Sequence, residues 1–464
     1  MLPTKRGDLM KNNLFVIFGA TGNLTYKKLL PALYQLISNN SFSKDTKIVC
    51  IGRRSFTTQS FIDDAVKKVT EKIDWDSFKD NLFYYQMDIE SMPDYSKLKT
   101  YIEFNCHFNN ANTIFYLATS PEFFPTIAKG INKGKLVVAG DQNVRVVFEK
   151  PFGENLDTAK KYNQILKQYF DESQIYRIDH YLGKEMIQNI LVVRFSNKIF
   201  EDIWSNKGIK SISISAKETE GIMGRGGYYD KAGALRDMVQ SHLMQMLSLV
   251  AMEPPESFQT DDIREKKVEL IRKLKIDFQS ENILAGQYKG YKSERNVDSN
   301  SNTETFVFLK TEIDTERWKG VPFYLITGKR LDEKKSEINI EFLENSHRHK
   351  QWTEESIPAN RLIIRVDPED GITFQINTKH PGLTLDVRPT ILDYCHKCQA
   401  IGNLPEAYEK LLMDIAKGDS TLFPRWDEIE NSWQFIDRIK SYLNNSIPVE
   451  YNGFEDLKKI IKVL

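Results

Sequence analysis

The sequence predicts an α/β domain over residues 1–178, followed by an α+β domain with a large, mainly antiparallel sheet over residues 179–464. Three observations predict it. Through residues 13–176, short and nearly continuous apolar runs alternate with helical stretches. That is the pattern of a parallel sheet buried on both faces under crossover helices. Beyond about Lys210 the apolar residues recur with period two, as in Ser211-Ile212-Ser213-Ile214-Ser215, the mark of a sheet with one wetter face. The later strand candidates have no helix-length segments between them, which makes them antiparallel neighbours.

The parallel strands are read at Leu14–Phe18, Lys47–Ile51, Leu82–Met87, Thr113–Leu117 and Arg145–Phe148. Each is a short run of β-branched, aromatic and other apolar residues bounded by turn formers. Besides the Ser211–Ser215 stretch, the second half offers strands at Thr303–Thr311, Val321–Gly328, Glu337–Phe342, Arg361–Val366 and Ile372–Asn377. Helices are expected at Lys184–Val193, Tyr229–Met252, Pro405–Lys417 and Trp426–Leu443. The polar stretch Tyr291–Thr303 reads as a mobile loop. There is no internal repeat.

Composition bounds the function. The 464 residues are enough for two or three domains. Lys+Arg and Asp+Glu are equal at 64, and this lack of a basic excess argues against a dedicated nucleic-acid binder. No apolar run approaches the roughly 20 residues of a membrane span, and the polar stretch Met1–Asn13 has no signal-peptide core. Four cysteines are too few for a disulfide scaffold, so a cytoplasmic setting is expected. Cys395-His396-Lys397-Cys398 is a Cys-x-x-Cys, but His347, His349 and His380 lack the spacing of a second zinc-ligand pair. The two cysteines read as reduced bystanders, and no metal site is expected.

The first strand runs straight into Gly19-Ala20-Thr21-Gly22-Asn23-Leu24, after which a helix begins. Strand, glycine turn and helix is how a Rossmann domain meets a pyrophosphate. The glycines let the backbone approach, and the helix N-terminus offers free N–H groups and a positive dipole. A plain tight turn uses the same residues; the position after the first buried strand favours a dinucleotide. The second strand ends in Gly52-Arg53-Arg54-Ser55, with no acid for the ribose hydroxyls of NAD. Guanidinium instead suits the 2′-phosphate of NADP, against the plainer reading of a solvated loop.

The run Arg177-Ile178-Asp179-His180-Tyr181-Leu182-Gly183-Lys184-Glu185 concentrates two acids, three possible cations and a phenol. His180, Tyr181 and Lys184 are donors that suit a phosphate dianion, while Asp179 suits a histidine. The alternative is a helix start with charged ends. A second candidate is His242, on a stripe with Leu235, Met238, Val239 and Met246. A histidine there is more often a packed core residue. Asp237 is five residues away, off the α-helical face that His242 shares, so Asp179 is the better partner. Histidine is also the natural general base near neutral pH.

Residues Arg177–Glu185 reproduce the active-site signature of glucose-6-phosphate dehydrogenases, and the chain resembles that family. The likeness takes in the glycine turn and Glu149-Lys150-Pro151-Phe152-Gly153. It continues through Arg236-Asp237-Met238-Val239-Gln240-Ser241-His242-Leu243, Gly328-Lys329-Arg330-Leu331 and the last helix. Asn23 departs from the family's usual Asp, and Thr25-Tyr26 from a small residue and Lys. The resemblance implies that glucose 6-phosphate is oxidised to 6-phospho-D-glucono-1,5-lactone as NADP is reduced, the first step of the oxidative pentose phosphate pathway. It implies that His242 removes the proton of the anomeric hydroxyl and that Asp179 orients His242. His180, Tyr181 and Lys184 would hold the phosphate. Glu218, Asp237, Lys329, Lys334 and Lys150 would complete the sugar site. Gly19, Ala20, Thr21, Gly22, Asn23, Leu24, Lys28, Arg53, Asp88, Ile89 and Lys150 would contact the coenzyme. A homodimer or dimer of dimers, formed through the large sheet, is implied as well.

Overall fold

Buried apolar runs build the first sheet. The computed structural model describes residues 12–106, 112–344, 357–384, 386–399 and 406–461. Six strands, β1 (Asn13–Phe18), β2 (Lys47–Gly52), β3 (Leu82–Gln86), β4 (Asn112–Leu117), β5 (Val144–Phe148) and β6 (Ile175–Arg177), pair in parallel in the order β3-β2-β1-β4-β5-β6. Five of them fall where the sequence places them; β6 is three residues long and merges with the charged run after it. Along β1, Phe15 and Ile17 join one hydrophobic cluster, while Leu14, Val16 and Phe18 join the other. Both faces are therefore buried, which is why the runs lack polar alternation. The Phe15 cluster also receives Leu411, Leu412 and Ile415 from the helix Ala407–Lys417.

This first compact unit ends at Gly183 but also takes in Gln259–Arg264 and the segment running to Glu430. The return of the helix near 410 covers apolar surface on the sheet that the first 183 residues leave open. The second unit begins at Lys184 and is interrupted by those two segments.

The second unit is built on a ten-stranded sheet. Its strands are β7 (Ile209–Lys217), β8 (Leu274–Lys275), β9 (Ile283–Tyr288), β10 (Phe306–Ile313), β11 (Phe323–Gly328), β12 (Lys335–Phe342), β13 (Arg361–Asp367), β14 (Gly371–Lys379), β15 (Val387–Cys395) and β16 (Val449–Tyr451). The order is β15-β14-β13-β12-β7-β11-β10-β9-β16, with β8 on β10. Pairing is antiparallel except for β7–β11 and β9–β16, which are parallel. A long excursion through helices and β8–β10 lies between β7 and β11, so their chain directions are free to match. Strand β12 buries alternate residues, Ile338, Ile340 and Phe342 among them, as period two requires.

Three expectations need correction. The single helix expected over Tyr229–Met252 is three pieces: Gly226–Ala234, a π-helix Leu235–Leu243, and Met244–Ala251. Gly233 breaks it with φ +68°, and a Cβ there would collide with the carboxylate of Glu304. Tyr291–Thr303 is pinned rather than mobile: the Asp230 carboxylate accepts from Tyr291 Oη at 2.9 Å, Ser301 Oγ at 2.5 Å and the Asp298 N–H at 3.2 Å. Finally, Cys395 and Cys398 are joined as a disulfide, because the turn after β15 brings their Cα atoms to 5.3 Å. Pro405, the expected first residue of its helix, and the candidates His347 and His349 lie outside the described residues; that helix runs Ala407–Lys417.

Candidate active site

In the first unit the glycine turn is built as the sequence implies. Gly19 sits at φ +81°, and a Cβ there would come within 2.5 Å of the Ala118 carbonyl oxygen, so only glycine fits. The N–H groups of Gly19 and Ala20 both donate to the Ile51 carbonyl, at 3.1 and 2.9 Å, tying the turn to β2. A π-helix, Thr25–Leu29, then begins. Between the ends of these strands lies a cavity of about 390 Å³, lined by Gly19, Thr21, Gly22, Arg53, Asp88 and Ile89 among others. It lies at the carboxyl edge of the parallel sheet, where such folds gather ligands. Arg54 lines it too. The backbone of this arginine loop is fixed from β3: Tyr84 Oη donates to the Arg54 carbonyl at 2.8 Å, and Gln86 Nε2 to that of Arg53 at 3.2 Å. The Asp88 carboxylate accepts the Glu90 N–H at 3.0 Å and so caps its own turn. Of the other expected coenzyme contacts, Ala20 is buried in the turn, Asn23 is exposed and Leu24 half-buried. Lys28 forms an ion pair with Glu406 at 2.9 Å.

Lys150 follows β5, and the residue before it is one that sequence reasoning missed. Glu149 accepts from Tyr116 Oη at 2.5 Å and from Tyr408 Oη at 3.2 Å. Burial pushes its carboxyl up, and Asp179 adds to this, against the two phenols and Lys150. Glu149 opens the Glu149–Gly153 motif, but only the phenols' positions in space show what it binds.

The run Arg177–Glu185 begins with a structural residue. Arg177 is buried and bidentate on Glu172, at 2.5 and 3.1 Å, with Asn163 Oδ1 at 3.0 Å. Its charge therefore serves the fold. Asp179 is buried, and its Oδ1 accepts the Tyr181 N–H at 3.0 Å, which folds the chain into a turn. His180 and Tyr181 lie on that turn with ring centroids 5.1 Å apart.

In the second unit, Lys184 is the N-cap of the helix Glu185–Phe195. Its Nζ lies 3.1 Å from Asp367 Oδ1, and Lys334 Nζ lies 3.5 Å from Oδ2 of the same carboxylate. Burial pushes Asp367 up, and the two lysines outweigh it, holding the carboxyl below its ordinary range. Lys184, expected to hold the phosphate, and Lys334, expected to complete the sugar site, are distant in sequence and are thus brought together by an acid that ends β13. No motif marked that acid. Lys329, which follows β11 and is buried, pairs with Glu218, which follows β7, and lies 5.2 Å over the Tyr229 ring. Asp237 and His242 are both buried on the π-helix. The spacing rule that set them on different faces assumed α-helical winding, and the wider π-turn does not obey it. Tyr228 Oη donates to Asp237 Oδ1 at 3.3 Å.

Two family models match the chain. Residues 16–189 match the glucose-6-phosphate dehydrogenase NAD-binding domain, and residues 191–458 the glucose-6-phosphate dehydrogenase C-terminal domain. The chain belongs to the glucose-6-phosphate dehydrogenase family. The glucose-6-phosphate 1-dehydrogenase of Bacillus subtilis (strain 168) is 41% identical over 444 residues, covering 92% of this chain and 90% of its own. That of Borreliella burgdorferi is 39% identical over 471 residues, covering 97% and 96%. A solved glucose-6-phosphate dehydrogenase in complex with glucose 6-phosphate superposes with TM-score 0.90 at 32% identity, covering 98% of both chains. The Mycobacterium avium enzyme does so with TM-score 0.84 at 32% identity, covering 95% and 94%. As a glucose-6-phosphate dehydrogenase, the chain is an oxidoreductase acting on the CH–OH group of glucose 6-phosphate, with a Rossmann-like dinucleotide domain and a second domain on a large mixed sheet. No helix among the described residues is long and apolar enough to cross a membrane.

Proposed function

We infer that this enzyme oxidises glucose 6-phosphate to the 1,5-lactone with NADP as its preferred coenzyme, in the cytoplasm and as a homodimer. Residues 1–178 bind the coenzyme; residues 179–464 bind the sugar phosphate and dimerise. The observation that carries the sugar assignment is the convergence of Lys184 and Lys334 on Asp367. Two ammonium groups gathered at one point make a phosphate site, since each can give a charge-assisted hydrogen bond to a dianion.

The coenzyme assignment rests on the cavity beside the glycine turn. Its donors fit NADP: backbone N–H groups near Gly22 for the pyrophosphate, and Arg53 for the 2′-phosphate. When bound, the nicotinamide supplies a hydride acceptor for C1 of the sugar. His242 takes the proton from the C1 hydroxyl as general base. Asp179 orients His242 and stabilises the imidazolium, as a carboxylate does in a hydrolase pair. Lys150 steadies both substrates, and Glu218, Asp237 and Lys329 hold sugar hydroxyls.

Initial rates with glucose 6-phosphate and galactose 6-phosphate, each paired with NADP and with NAD, test this reading. It predicts the highest kcat/KM for glucose 6-phosphate with NADP. A higher value for galactose 6-phosphate or for NAD overturns the corresponding half.

A further inference from the structure

The Cys-x-x-Cys is the one sequence motif that the dehydrogenase chemistry leaves unused. We propose that Cys395 and Cys398 form a reversible dithiol–disulfide couple that exchanges with thiols and disulfides at the edge of the second sheet.

The two residues are held ready for bond formation. Cys395 is the last residue of the outermost strand β15, opposite Gly371 of β14. The next residue, His396, donates its N–H to the Asp370 carbonyl at 2.9 Å, which turns the chain sharply into the short helix His396–Gln399. That turn sets the Cα atoms 5.3 Å apart, within the range a disulfide spans without backbone movement. The backbone of the turn therefore accommodates the closed bond. The turn also aims the Cys398 N–H at Cys395 Sγ, 3.1 Å away. With the bond open, the same N–H stabilises a thiolate on Cys395, the form that reacts.

Access separates this pair from the other cysteines. Cys398 is exposed, whereas Cys50 is fully buried and Cys106 nearly so. Burial pushes the Cys106 thiol up to about 11 and that of Cys50 higher still, so neither is a nucleophile near neutral pH.

The exchange balances with a disulfide as co-reactant. The Cys395 thiolate attacks one sulfur of the partner, whose S–S bond breaks and whose other sulfur leaves as a thiol. Cys398 then loses its proton and displaces the first partner sulfur, closing the Cys395–Cys398 bond. Two protein thiols are oxidised, and one partner disulfide is reduced to two thiols. A low-molecular-weight disulfide or a protein with its own Cys-x-x-Cys supplies the same chemistry.

The full-length enzyme is equilibrated in glutathione buffers of stepped ratio, acid-quenched and alkylated, and the peptide containing residues 395–398 is weighed. The expected result is one transition from two alkyl groups to none, with the oxidised peptide two hydrogen masses lighter and Cys50 and Cys106 unchanged throughout. Cys398→Ser should stop at a glutathione adduct on Cys395. Two free thiols at every ratio, or adducts in place of the internal bond in the wild type, overturn the proposal. Reduction of the oxidised enzyme by a catalytic amount of a thioredoxin-type dithiol, faster than by glutathione alone, assigns the partner as a protein. Equal rates assign it as the small thiol.

Discussion

A guanidinium donates two parallel hydrogen bonds to a phosphate, and Arg53 lines the cavity beside the glycine turn. Losing one charged hydrogen-bond partner costs about 1.5–3 kcal/mol, or roughly 10–150-fold in affinity. Arg53→Ala should raise the KM for NADP by that order and leave the KM for NAD nearly unchanged. An equal loss for both coenzymes would mean that the arginine holds the adenine or the loop instead. The same reasoning applies to Lys184. Lys184→Ala should weaken glucose 6-phosphate far more than NADP and leave any turnover of unphosphorylated glucose unaltered. A parallel loss on both sugars would make Lys184 a structural residue. Asp367, which gathers Lys184 and Lys334, was invisible in the sequence because its two partners come from separate stretches of chain, both distant from it.

The segment carrying His242 owes its shape to a single glycine. At Gly233 the φ of +68° is combined with a ψ of 174°, a region essentially confined to glycine, where another residue costs about 1–3 kcal/mol. A Cβ would also push on Glu304, which holds Lys440 at 2.7 Å and is almost fully buried. Gly233→Ala should therefore lower the unfolding free energy, read from the urea midpoint, by about 1–3 kcal/mol or more. Gly227→Ala, with a neighbour no nearer than 3.9 Å, should be neutral or stabilising by about 0.5–1 kcal/mol. Equal effects would contradict the role of the kink. Periodicity made the helix legible but not its break, since apolar spacing continues across Gly233. It also hid the π-winding, because a stripe at Leu235, Met238, Val239 and His242 suits an α-helix as well. The five long parallel strands were legible because burial on both faces leaves them almost wholly apolar. Strands β6 and β16, of three residues each, are too short for any period.

At the scale of the whole molecule, sequence halves and compact units differ. The helix Ala407–Lys417 belongs to the first unit although the second half of the chain encodes it. Local pattern cannot show which sheet a distant helix covers. The outermost strand β15 exposes Ile391, Leu392 and Tyr394, at 64%, 51% and 40%. An edge so apolar is a ready surface for pairing with a second copy. Sedimentation should find a dimer, and Ile391→Lys should shift it toward monomer. A monomeric wild type, or a variant that dimerises unchanged, would remove the sheet edge as the interface.

The role proposed for His242 is to take the proton that lets C1 give up its hydride. Its direct test is the rate of NADPH formation at saturating glucose 6-phosphate in the wild type and in His242→Asn, with sugar-phosphate binding measured alongside. The kcat of His242→Asn should fall by roughly 10²–10⁴-fold, the usual worth of a general base, with binding nearly unchanged. A folded His242→Asn enzyme that turns over at close to the wild-type rate would contradict it.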